Sequence, residues 1–130
     1  MKILVAYNGY FVSRDAAKLA NSYAKKFNAE ALVVTTLETG HKLHLDDMEK
    51  ADNALEQVKR HFDQSNIPCK TKLLSNRLSA GENIVQFARD NAVDLIMIGV
   101  KRRSRVGKML LGSTAQYVIL NAPCPVLSLK

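Results

Sequence analysis

The residue types best suited to chemistry gather in one stretch near the C-terminal end of the chain. Gly99, Gly107 and Gly112 bracket Lys101, Arg102, Arg103, Arg105 and Lys108, and Ser113-Thr114 follow at once. A glycine leaving a strand lets the backbone turn sharply and lets a ligand come close. Gly112-Ser113-Thr114 at the start of a helix offers free backbone N–H groups and two hydroxyls, a ready site for phosphate oxygens. Cationic side chains in the same loop would add charge-assisted hydrogen bonds. The chemistry implied is anion binding. The standard phosphate motifs are absent. Arg102 stands five residues before Gly107 and Met109 follows Lys108, which breaks G-x4-G-K-[ST], and no strand is followed by G-x-G-x-x-G. The structural alternative is a capped helix beside a solvated basic loop.

Groups suited to catalysis are sparser. His41 and His44 with Asp46 and Asp47 have the spacing H-x2-H, which lacks a regular zinc pattern, so no metal site is expected. His61 falls on the polar face of an amphipathic helix, where it is expected to be solvated. Asp94 lies at the base of a strand, the wrong end of a parallel sheet for a ligand. Cys124, between two prolines, reads as structural. No Ser-His-Asp order, nucleophile elbow or acidic metal cluster stands out. No catalytic residue is assigned, and any hydrolysis of a bound nucleotide is expected to be very slow.

The remainder of the chain must position the basic segment. Its 130 residues are 47% hydrophobic and 24% charged, with 6 Gly and 3 Pro, a composition that fits one folded domain over 1–130 and excludes collagen-like and disordered classes. No apolar run approaches the ~18 residues of a membrane span. The opening MKILVAYNGY is too short and lacks a cleavage site for a signal peptide, so it reads as a buried strand. Cys69 and Cys124 are too far apart in sequence for a CxxC motif and fit reduced thiols in a cytoplasmic protein. The formal charge of +7 is unevenly spread. Residues 1–94 hold 13 Lys/Arg against 12 Asp/Glu, whereas residues 95–130 hold six Lys/Arg and no acid. Nucleic acid is disfavoured as a partner because the basic loop holds no aromatic residue for stacking.

Periodicity supplies the elements. Lys2–Tyr7 is a continuous apolar strand followed by Asn8-Gly9. Ser13 is expected to cap a helix over Arg14–Phe27 with Ala16, Ala20, Tyr23, Ala24 and Phe27 inward. Ala31–Leu37 is a second strand, and residues 38–45 read as a loop. Asp46 opens a helix with Met48, Ala51, Leu55, Val58 and Phe62 inward. Cys69–Leu74 alternates with Lys70 and Lys72 on one face, which suits an edge strand. Ser79-Ala-Gly-Glu82 is a capping box, and it opens a helix with Ile84, Val85, Phe87 and Ala88 inward. Val93–Ile98 is a further buried strand. The last helix turns Ala115, Val118 and Ile119 inward, and Val126–Leu129 is the final strand.

Strand alternating with helix predicts an α/β class: a three-layer α/β/α arrangement on a five-stranded parallel sheet. In an order 3-2-1-4-5, the direction of travel reverses between strands 1 and 4, where ligands bind beyond the carboxyl ends. Tyr7-Asn8-Gly9 and Ile98-Gly99-Val100 would meet there, and the basic loop leaves from the second.

The segment IGVKRRSRVGKMLLGSTAQYVILNAPCPVLSL resembles the C-terminal signature of the universal stress protein family, and ILVAYNG resembles that family's first strand, usually ILVAxDGS. The resemblance implies an adenine nucleotide alpha hydrolase-like, Rossmann-like fold, a stress-response role and a homodimer paired through the last strand, here Val126, Leu127, Ser128 and Leu129. Many members bind ATP through G-x2-G-x9-G-[ST]. Gly99 and Gly112-Ser113 match that spacing, Arg102 replaces the second glycine, and Asn8 replaces the aspartate after strand 1. Carried over by position, Ala6, Tyr7, Asn8 and Leu37 would border adenine and ribose. Ile98 and Gly99 would line the floor, and Lys101, Arg102, Gly112, Ser113 and Thr114 would face the phosphates. The ligand implied is ATP or AMP, with Mg2+ as an accompanying ion although no acidic ligand for it is evident. Two other readings stand beside this one. The first is a family member without nucleotide that acts as an adaptor for an unidentified protein partner; the second is a slow ATPase. No membrane partner is expected.

Overall fold

The computed structural model describes residues 1–8, 11–38, 45–76, 78–100 and 112–130. Among these residues nine elements alternate: β1 (Lys2–Ala6), α1 (Phe11–Phe27), β2 (Glu30–Glu38), α2 (Leu45–Gln64), β3 (Cys69–Asn76), α3 (Ala80–Asp90), β4 (Leu95–Gly99), α4 (Ser113–Asn121) and β5 (Val126–Leu129). The strands form one sheet in the order β3-β2-β1-β4-β5, with every neighbouring pair parallel. The α/β class and the 3-2-1-4-5 order therefore match the sequence expectation.

The sheet separates two apolar cores because strand side chains alternate between faces. Ile3, Val5 and Tyr7 of the β1 segment pack with Ala16, Ala20 and Ala24 of α1 and with Leu55, Val58 and Phe62 of α2. Leu4 points the other way, towards Ile84, Val85 and Ala88 of α3 and Ala115 and Val118 of α4. The alanine stripe of α1 lets that helix approach the sheet closely, and Phe62, 1% exposed, fills the volume farther out under α2. Burying a side chain of that size stabilises the fold by about 2–3 kcal/mol.

Local chemistry sets the element boundaries. Asn28 and Asn66 take left-handed φ values of 53° and 58° just past α1 and α2, a conformation that asparagine tolerates better than most residues. Ser79 accepts a hydrogen bond from the Glu82 N–H at 3.3 Å, and its hydroxyl donates to Glu82 Oε1 at 2.9 Å. The amino ends of β1 and β4 are tied where the Lys2 N–H donates to Asp94 Oδ2 at 2.8 Å. Asp94 thus lies at the end of the sheet opposite the ligand edge. Lys70 and Lys72 are exposed on β3, which is an outer strand as expected.

Several expectations need correction. Ser13 does not cap α1. The helix already begins at Phe11, and Ser13 is buried within it at 4% exposure. Leu45 is already helical, so Asp46 sits inside the first turn of α2. Phe27 and Met48 are 54% and 36% exposed, because each lies near a helix end that extends past the sheet. Phe87 is only half-buried. Ile119 faces solvent, since α4 meets the core through Ala115 and Val118 alone. Within the segment expected as a loop, Glu38 belongs to β2 and Leu45 to α2, while residues 39–44, with His41 and His44, lie outside the described residues.

Candidate functional site

The strand order reverses at β1, which has β2 on one side and β4 on the other. Ala6 is the residue where the three strands meet, paired with Val34 on β2 and Ile98 on β4. Ile98 is 4% exposed and supplies an apolar floor, and Gly99 follows at half exposure. Beyond Ala6 the pairing with β2 continues: the Tyr7 N–H donates to the Val34 carbonyl at 2.8 Å. The Thr35 hydroxyl, itself buried, donates to the Tyr7 carbonyl at 2.7 Å. Tyr7 is thereby held by its backbone on one strand while its side chain packs on the α1/α2 side.

Asn8 is exposed and is the last described residue before α1. Its N–H donates to Ser13 Oγ at 3.4 Å, so the buried serine anchors the turn out of β1 rather than the helix end. Leu37 is half-buried on β2 and pairs with Ser75 of β3, three residues past the level of Ala6. It stands on the wall formed where β2 outruns β1.

α4 follows β4 and crosses back beside the sheet, which puts its first turn at the carboxyl edge. Gly112 is its N-cap, at φ −56° and ψ 150°, with no side-chain hydrogen bond closing the helix end. The first amide bonded inside α4 is the N–H of Gln116, which donates to the Gly112 carbonyl at 3.0 Å. The preceding amides, including those of Ser113 and Thr114, are the donors that a helix leaves unpaired at its start. A Cβ built on Gly112 would meet no atom within 4 Å. Its φ is ordinary, so neither backbone conformation nor packing against the described residues asks for glycine there. Among the described residues nothing fills the space over this helix start, which is suited to an anion that approaches the backbone.

Ala6, Tyr7, Ile98 and Gly99 are thus held on adjoining strand ends, with Asn8 one step beyond and Leu37 to one side. Gly112, Ser113 and Thr114 form the helix start at the same edge. Lys101 and Arg102 lie outside the described residues. Thr35 and Ser13 were not identified from sequence as parts of this site. The only available signal for Thr35 was a hydroxyl residue at an inward position of an otherwise apolar strand.

Among the described residues, no group of three or more His, Cys, Asp or Glu could hold a metal ion. Both cysteines are free and lie at the amino edge of the sheet, away from the site. Burial pushes the Cys69 thiol up to about 11, and Cys124 is raised by burial and by the charge of Asp94. Both shifts favour the thiol over the more reactive thiolate. Among the described residues no helix is long and apolar enough to cross a membrane.

Comparison with known proteins bears on the family and the fold. The model of the universal stress protein family matches residues 1–130. A universal stress protein of Methanocaldococcus jannaschii is 33% identical over 140 residues, covering 99% of this chain and 81% of that protein. The structure of a universal stress protein from Archaeoglobus fulgidus superposes with a TM-score of 0.87 at 24% identity, covering 100% of this chain and 93% of the other. The Archaeoglobus fulgidus universal stress protein in complex with dAMP gives a TM-score of 0.84 at 24% identity, over 100% of this chain and 98% of that one.

Proposed function

The chain belongs to the universal stress protein family, and from that premise we propose that it is a single-domain, cytoplasmic protein that binds an adenine nucleotide as a regulatory ligand in the stress response, without efficient catalysis. The observation that carries this reading is the helix start at Gly112. It is an N-cap without a side-chain bond, with no described residue within 4 Å of where a Cβ would stand, at the carboxyl edge of the sheet beside β1 and β4. The amides of Ser113 and Thr114 are suited to phosphate oxygens. Ile98 and Leu37 offer apolar surface for a base, and Asn8 can donate and accept hydrogen bonds towards ribose. A relative of similar fold has been solved with dAMP, which supports an adenine mononucleotide as ligand class. ATP and AMP are the candidates.

The described site residues present hydroxyls and an amide but no carboxylate. They fit a nucleotide better than they fit a dedicated Mg2+ site, so Mg2+ would enter with the phosphates. With no general base among them, the site binds rather than hydrolyses. Free cysteines support the cytoplasmic assignment. The chain would act as a homodimer through β5. That strand is an outer one, Val126, Leu127 and Leu129 are half-buried, and Ser128 is exposed. Leu120 and Ile119, 73% and 41% exposed on the neighbouring helix, extend the apolar surface.

Isothermal titration with ATP and with AMP tests the nucleotide reading. At a protein concentration of about 100 μM, chosen to detect weak binding, saturable heat is expected for at least one of the two. Absence of heat from both would overturn it. A second reading rests on Asn8 and Arg102, which replace an acid and a glycine of the family pattern: a protein-interaction adaptor that holds no nucleotide. In that case the double change Asn8→Asp and Arg102→Gly would create ATP binding that the natural chain lacks.

A further inference from the structure

A cavity of about 500 Å3 lies between α1 and α2, with Tyr7 at its floor. Its size falls in the range of small-molecule sites. Val58 and Phe62 lie beneath it, almost fully buried, and Arg14 and Lys18, one helical turn apart on α1 and both exposed, line the opposite side. His61 lines it from α2, and among the described residues no carboxylate does. Lys18 makes no ion pair among the described residues.

The floor carries the second observation. Tyr7 is 8% exposed and lines the cavity. Its backbone bonds to β2, but its hydroxyl has no hydrogen-bond partner among the described residues. Among the described residues no buried side-chain oxygen or nitrogen is left without a partner, so the small exposed part of Tyr7 includes its hydroxyl, at the cavity this residue lines. A buried ring that presents an unused donor to a cavity with a cationic wall is an arrangement for holding a polar group at the end of an apolar body.

We propose that the α1/α2 cavity binds an amphipathic organic acid, with its apolar body in the cleft between the two helices, a carboxylate facing Lys18, and the Tyr7 hydroxyl donating to it from the floor. The proposal is independent of nucleotide binding, because the two sites share only Tyr7, whose backbone serves one and whose side chain serves the other.

The test uses 2-naphthoate as the acid and 2-naphthamide as its neutral counterpart. Two-dimensional amide spectra of the full 15N-labelled chain are followed as each is added, with and without saturating ATP. Saturable shifts confined to α1 and α2 are expected for the acid, with a dissociation constant below about 1 mM. Loss of the charge-assisted contact should make the amide about tenfold weaker, and Lys18→Glu should weaken the acid by about the same factor. Tyr7→Phe should weaken it about threefold, and Lys59→Glu, on α2 but outside the cavity, should change it less than about twofold, the difference expected between a contacting and a distant charge. The α1/α2 shifts should persist in ATP, whether or not ATP itself binds. No saturable shift at millimolar acid, equal affinity for the amide, or equal loss in the Lys18 and Lys59 variants would overturn the proposal. Because Lys18 is exposed, that arm remains decisive even if Tyr7→Phe fails to fold.

Discussion

Gly81→Ala sets two physical effects against each other, and the structure decides between them. Gly81 is the second residue of α3, in ordinary helical conformation and buried beneath α4. Helix propensity alone favours alanine by up to about 1 kcal/mol. The new Cβ, however, would lie 2.8 Å from Tyr117 Cβ, 2.9 Å from Cδ1 and 3.0 Å from Cγ. Ordinary carbon contacts begin near ~3.5 Å. The ring atoms can swing away about χ1, but Tyr117 Cβ is fixed to the backbone of α4, so the two helices must separate by roughly 0.7 Å to reach ordinary contact. Overpacking of this kind costs about 1–3 kcal/mol, which outweighs the propensity gain. The net loss expected is about 1–2 kcal/mol, read in urea unfolding as a midpoint lowered by roughly 0.5–1 M at unchanged slope. Most of the loss should persist in a Tyr117→Ala background, since that change keeps the Cβ. The shift should also weaken any nucleotide affinity, because α4 carries Ser113 and Thr114 at its start. An unchanged or raised midpoint for Gly81→Ala would refute the reasoning. Full relief by Tyr117→Ala would show that the ring, not the helix approach, carries the clash.

Thr35→Val leaves the buried Tyr7 carbonyl without its side-chain donor and should cost about 1–3 kcal/mol by urea unfolding, more than an isosteric change without a hydrogen bond; a loss below about 0.5 kcal/mol would count against that bond. Because the folded Cys69 pKa is raised from 9.0 to about 11, the unfolded chain loses this proton first, and stability should fall as pH rises through that window, a dependence that Cys69→Ala removes. Thiol labelling at pH 8 should modify the more exposed Cys124 well before Cys69, read by peptide mass analysis; equal rates would contradict the burial of Cys69. Light scattering should give twice the chain mass of 14.4 kDa; the chain mass itself at working concentration would remove the β5 pairing.

The parts of the fold that were legible in the sequence are those where one physical pattern governs a whole segment. The alanine stripe of α1, the Leu55–Val58–Phe62 repeat of α2 and the Ser79–Glu82 capping box each match their structural role. Strand–helix alternation and right-handed crossovers then leave few sheet orders to choose from. The errors fall where tertiary contacts override a local rule. Ser13 has the right residue type for a helix cap, yet the turn after β1 needs an acceptor for the Asn8 N–H, and the helix starts two residues earlier. Ile119 continues the apolar period of α4, yet a nine-residue helix lying on α3 buries only one narrow stripe. The helix start at Gly112-Ser113-Thr114 was legible because glycine and hydroxyl spacing is a one-dimensional signal. The α1/α2 cavity was not, because Arg14, Lys18 and His61 look like ordinary polar-face residues until two separate helices bring them to one opening.

Tyr7 is where these two sites meet, and its two halves do different jobs. The backbone is fixed on both of its polar groups, the N–H to Val34 and the carbonyl to the Thr35 hydroxyl. It therefore cannot follow a ligand at the strand ends without breaking buried hydrogen bonds. The ring leans the other way, into the core beneath α1 and α2. Any coupling between a nucleotide at the sheet edge and an acid in the cavity would have to run through α1, whose start is tied to Asn8 by Ser13 and whose next turns carry Arg14 and Lys18. The Asn8 N–H to Ser13 Oγ bond is the contact by which a change at Asn8 would reach α1. Ser13→Ala removes that link without touching either ligand surface. If the two ligands influence each other's affinity in the natural chain, the same titrations in this variant should become independent.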